Sequence, residues 1–114
     1  MHEESGGTAP GSLVLIESQG ADGPAAFRRD AVVQLRQGRP TVLFLVQDGV
    51  LLAVAGSDAV LDRFQEEGGV LAADGFSLTQ RGLDDAALRP GLRVAAMDDV
   101  AAWVLDPATK VVWH

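Results

Sequence analysis

"TVLFLVQDGVLLAV", residues 41–54, begins as an unbroken apolar run with no polar alternation. That is the signature of a strand covered on both faces, so Val42 to Val46 reads as a central strand of a parallel sheet. The run pauses at Gln47-Asp48-Gly49, a turn-prone stretch in which Gly49 is expected to take a positive φ. Six apolar residues then follow, Val50 to Ala55, with no wet side, before Ser57 and Asp58 supply the cap of a new helix.

Working outward, β-leaning runs alternate with amphipathic helical ones, the order expected of an α/β layer fold. Leu13 to Ile16 is the first strand. Gly23-Pro24 opens a helix with Asp22 or Gly23 as its cap and Phe27, Ala31, Val32 and Leu35 as its buried stripe, and Gly38 with Pro40 stops it. The helix after Asp58 turns Val60, Leu61 and Phe64 inward. Val70 to Ala73 forms the third strand and leads into "DGFSLTQRGL" with Asp74 at its mouth. Leu92 to Ala96 is the fourth strand. A helix from Asp98 follows, with Val100, Ala101, Val104 and Leu105 inward, and Lys110 to Trp113 is the last strand. The expected fold is a three-layer α/β/α flavodoxin-like domain with a mainly parallel five-stranded sheet, and Val14, Leu43, Leu45 and Val94 are expected in its core. Residues 1–11, Gly-rich and acidic, read as a flexible arm; residues 12–114 make a single domain.

Composition excludes several kinds of chemistry. At 114 residues, 47% hydrophobic and 22% charged, the chain supports one globular core. It contains no cysteine, which removes disulfides, thiolate metal sites and thiol nucleophiles. The net charge is −7 and the nine basic residues are scattered, so no stripe exists to neutralise a phosphate backbone, and direct nucleic-acid binding is not expected. No apolar run approaches the roughly 20 residues of a membrane span, so no membrane insertion is expected. Acidic residues stand where a signal peptide needs positive ones, nothing points outside the cell, and a cytoplasmic location is expected.

In an open parallel sheet, ligands collect where the strand C-termini splay apart. The residues at that edge are Ser18, Gln19 and Gly20; Gln47, Asp48 and Gly49; Asp74, Gly75 and Phe76; and Met97, Asp98 and Asp99, with Arg81 the one basic group expected near it, where it could meet an anion or Asp74. Asp48, Asp74, Asp98 and Asp99 have the oxygen donors for Mg²⁺, but three of the four sit where helices begin and are explained as caps. His2 and His114 are expected exposed, so neither serves a catalytic triad. "SQGADGPA" lacks the lysine and glycine spacing of a nucleotide cradle. No catalytic residue, metal site or cofactor is assigned.

The segments "LFLVQDGV", "QRGL" and "VAAMDDVAAWVLDPATKVVWH" resemble, in pattern and order over residues 12–114, the DsrE/DsrF/DsrH (TusD/TusC/TusB) sulfur-relay superfamily. The likeness is nearest to the DsrH/TusB branch, whose members share the "QDGV" loop, the "RGL" turn and a Trp near the C-terminus. The resemblance implies a flavodoxin-like domain that assembles with itself or its relatives, and sulfur transfer through a cysteine persulfide in active members. The position implied for that cysteine, eight residues before the Gly of "RG", is Asp74 here. A carboxylate cannot carry a persulfide, so the expectation is a non-catalytic protein acting by contact, in sulfur relay or tRNA thiolation. The alternative from the residues themselves is a small-molecule or anion binding domain using the strand-edge loops. A homo-oligomer, dimer or trimer, or an assembly with related sulfur-relay subunits is expected, with Val50, Leu51, Leu52, Trp103 and Trp113 as interface candidates.

Overall fold

The computed structural model of the chain describes residues 12–114; the expected arm at 1–11, with His2, lies outside the described residues. In chain order the elements are β1 (Leu13–Glu17), α1 (Ala26–Arg36), β2 (Thr41–Leu45), a 3-10 helix (Gln47–Ala53), α2 (Ala59–Glu66), β3 (Val70–Asp74), α3 (Gly75–Gln80), β4 (Arg93–Ala95), α4 (Met97–Leu105) and β5 (Lys110–Trp113). The strands form one sheet in the order β4-β3-β2-β1-β5, and every pairing is parallel. The domain is thus the three-layer, flavodoxin-like α/β fold expected from the sequence.

Strand order explains the layers. From β1 to β4 the chain steps one strand at a time in one direction; α4 then carries it back across the sheet to place β5 beside β1. Right-handed crossovers running in opposite directions put their helices on opposite faces. Alternate strand residues serve the two layers, as the pleat requires. Leu13, Leu15, Leu43, Leu45, Leu71 and Ala73 meet Ala31, Val32, Leu61, Phe64 and Leu78. Val14, Ile16, Val42, Phe44, Val46 and Ala72 meet Val100 and Trp103 of α4.

Several expectations are corrected by packing. Helix α1 starts after Ala25 without a side-chain cap, because Asp22 and Gly23 are used in a turn closed by Gly23 N–H to Gly20 O at 2.9 Å. Val94 is 63% exposed, since β4 is a three-residue edge strand paired only to β3. Ala101, Val104 and Leu105 face outward from α4, and Trp103 faces inward. The Trp103 ring meets Phe44 edge-on at 5.4 Å and 81°, which removes it from the interface candidates. Val50 and Leu52 leave that group too: the 3-10 helix packs Val50, Leu52 and Ala53 wholly into the core, while Leu51 points out. Trp113 remains exposed.

Candidate functional site

The strand C-terminal edge is organised around Glu17, a charged residue closing an otherwise apolar strand. Its side chain has no exposed surface. Oε2 accepts from the Gln19 amide at 3.1 Å and lies 2.9 Å from Nδ1 of His114; Oε1 lies 3.5 Å from Nη1 of Arg28. Arg28, buried on α1, in turn places Nε 3.0 Å from Oδ2 of Asp58, close enough for an ion pair though not aligned as a hydrogen bond. Asp58 Oδ1 caps α2 by accepting from the amides of Val60 and Leu61. The polar chain His114–Glu17–Arg28–Asp58 therefore ties the end of β5 to β1, α1 and α2. A buried charge is stable only when paired in this way.

His114 is not the solvated group expected from sequence. Its ring stacks on Phe27 at 4.5 Å and 17°, and its carbonyl accepts from Ser18 Oγ at 2.7 Å. The polar residues that sequence reasoning missed are Glu17 as a paired group, Arg28 and His114. A glutamate ending the buried run "LVLIE" was the one local signal available.

A second polar chain fixes the loop after β2. Asp74, 5% exposed, caps α3: Oδ2 accepts from Ser77 N at 3.0 Å and from Ser77 Oγ at 2.6 Å. Ser77 Oγ in turn accepts from the Gln47 amide at 2.9 Å. The positive φ of the loop falls on Gln47, at 50°, and not on Gly49. Gly49 is required for a different reason: a Cβ there would stand 2.2 Å from the Glu17 carbonyl oxygen, so only glycine lets the loop lie on β1. Asp48 leaves the loop toward Arg81, whose Nε and Nη2 reach its Oδ1 at 3.0 and 2.9 Å. Arg81 thus pairs with Asp48 and not with Asp74.

A cleft of about 410 Å³ opens at this edge, lined by Ser18 to Gly23 with Asp48 and Leu51. It brings together Ser18, Gln19, Gly20 and Asp48 of the expected edge residues. Gly49 lies buried beneath, while Gln47, Asp74, Gly75, Phe76 and Arg81 are outside its lining. The lining carries the carboxylates of Asp22 and Asp48 and no basic side chain. Among the described residues, no three His, Asp or Glu side chains converge as metal ligands, and no helix is long and apolar enough to cross a membrane.

No family model matches the sequence, and no curated protein sequence matches it either. Solved structures do match. The ychN protein from E. coli superposes with a TM-score of 0.79 at 17% identity, covering 90% of this chain and 98% of that one. MTH1491 from Methanobacterium thermoautotrophicum, a protein of unknown function, gives 0.73 at 14% identity over 90% and 99% of the two chains. BT1422 from Bacteroides thetaiotaomicron, likewise of unknown function, gives 0.70 at 14% identity over 90% and 95%. At these identities the likeness establishes a shared fold over nearly the whole domain.

Proposed function

We propose that this chain is a non-catalytic DsrE/DsrH-like protein that works by protein–protein contact, in the cytoplasm, as a homo-oligomer of two or three subunits, and that sulfur relay or tRNA thiolation is its setting. The motif resemblance and the shared fold with ychN support the family reading. The sequence holds no cysteine, and Asp74, at the position the resemblance assigns to the persulfide carrier, is consumed as a buried cap.

The observation that carries the contact reading is helix α4. Its inward face, Val100 and Trp103, is buried, yet its outward face is apolar as well: Met97, Val104 and Leu105 are 49%, 58% and 81% exposed. A helix apolar on both sides is ordinarily buried on both sides, so the outward face of α4 is an uncovered apolar surface. A second copy presenting the same face would cover it by two-fold self-complementarity, the commonest arrangement of soluble oligomers. Leu51 and Trp113 are further exposed apolar residues available to a contact. Gel filtration with light scattering tests this: a mass of two or three times 11.9 kDa supports the reading, and a monomer across micromolar concentrations refutes it.

A second reading, a small molecule bound at the strand edge, draws its support from the cleft beside Ser18 to Gly23. Two carboxylates in its lining suit a polar or cationic ligand better than the anion first expected.

A further inference from the structure

Helix α1 carries a second stripe besides the one that faces the sheet. Arg29, Val32, Val33 and Arg36 recur at the three- and four-residue spacing of a single helix face. Helix α2 sets Ala59, Val60 and Arg63 opposite them, and the two helices leave between them a groove of about 310 Å³. Its floor is apolar: Val32 is buried, Val60 half-buried, and Val33 is 44% exposed.

Every charged group in the lining is a guanidinium. In a chain of net charge −7 with nine basic residues, three arginines around one apolar groove concentrate positive charge, of which Glu67 offsets one. Arg36 is already committed, its Nε and Nη2 gripping both oxygens of Glu67 at 2.8 and 2.7 Å. Neither Arg29 nor Arg63 is in direct ion-pair or side-chain hydrogen-bond contact among the described residues, although the Arg63 charge helps to lower the Glu67 carboxyl. Two guanidiniums without a direct partner therefore flank exposed valine, an arrangement that leaves their N–H donors and the apolar floor unfilled by the protein itself.

We propose that this groove is a binding site for a small amphipathic carboxylate. The valines take the apolar body, and Arg29 and Arg63 take the anionic head, for which the planar guanidinium fork is shaped. The volume, at the lower end of the roughly 300–1,000 Å³ of small-molecule pockets, sets the size of the occupant: a short acyl or aryl carboxylate, not a folded partner. The site lies between helices, away from the strand edge and from α4, so it is independent of the self-association proposed above.

The test titrates the full chain with octanoate while amide NMR signals are followed, with 1-octanol as the uncharged control of equal apolar body. Signals of residues 29–36 and 59–63 should move. Octanoate should bind about tenfold more tightly than octanol, the worth of a charge-assisted contact. In the exposed double variant Arg29→Gln/Arg63→Gln, with circular dichroism confirming the fold, the two probes should become equal. Equal binding by the native chain, an unchanged preference in the double variant, movement confined to Ser18–Gly23, or no movement at all would each overturn the proposal.

Discussion

His114 Nδ1 lies 2.9 Å from Glu17 Oε2, joining residues 97 positions apart and holding β5 against β1 at the edge where the cleft opens. Glu17 also faces Arg28, so it is the shared member of a buried pair and a partly exposed one. Glu17→Ala removes one of the two carboxylates that face buried Arg28, leaving it Asp58 alone, and should destabilise the domain by about 2–3 kcal/mol. His114→Ala, losing a half-wet contact and the stack on Phe27, should cost only about 1 kcal/mol. Urea unfolding of the two variants reads the difference; equal effects would show that Arg28 does not depend on Glu17.

Gly49→Ala tests the close approach of the loop to β1. Because the clash is with the Glu17 carbonyl, which no rotamer change can relieve, the loss should be about 3 kcal/mol or more. Gly38→Ala is the matched control: its φ of 83° is strained for alanine but its surroundings are open, so about 1 kcal/mol is expected. Thermal unfolding should rank the two in that order.

Asp74→Asn should be tolerated within about 1 kcal/mol, since asparagine caps a helix about as well as aspartate. Asp74→Ala should cost about 2 kcal/mol, because Ser77 loses its acceptor and the Gln47 amide its firmly held partner. Amide exchange at Gln47 should quicken in the alanine variant and stay slow in the asparagine one. Equal exchange in both would separate the cap from the loop.

The Glu67 carboxyl is held below the ordinary carboxylate range by its hydrogen bond to Arg36, whose own value is raised by the same contact. A depressed carboxylate stabilises the fold above its unfolded value and loses that stabilisation as the pH falls through the folded one. Native and Glu67→Gln proteins should therefore differ most at neutral pH and converge on acidification. Because the pair is exposed, high salt should shrink the difference. A difference that grows toward acid pH would contradict the assignment.

The strands were legible because a parallel sheet buried on both faces prints continuous apolar runs, and the caps at Asp58 and Asp74 were legible because capping is local. Helix α4 was not. Past Asp98 and Asp99 in its first turn, residues 100–105 are all apolar and leave no polar side from which to phase it, and the packing of Trp103 on Phe44 decides which face turns in. The segment after Gly49 failed for the same reason, its lack of a wet side reflecting burial in its own core around Val50 and Leu52. The Glu17–His114 contact spans nearly the whole chain, beyond any window of local pattern. The groove of Arg29 and Arg63 was hidden because it needs two helices side by side.

The outward face of α4 is where the account is most exposed to test, because self-association follows from it directly. Sedimentation velocity of the native chain and of Val104→Glu/Leu105→Glu at equal micromolar concentration is the measurement. The account predicts a native species larger than the 11.9 kDa protomer and a variant that sediments as the protomer with an unchanged far-ultraviolet spectrum, since both side chains point away from the core. A native protein that is monomeric, or a folded variant that remains assembled, would contradict it.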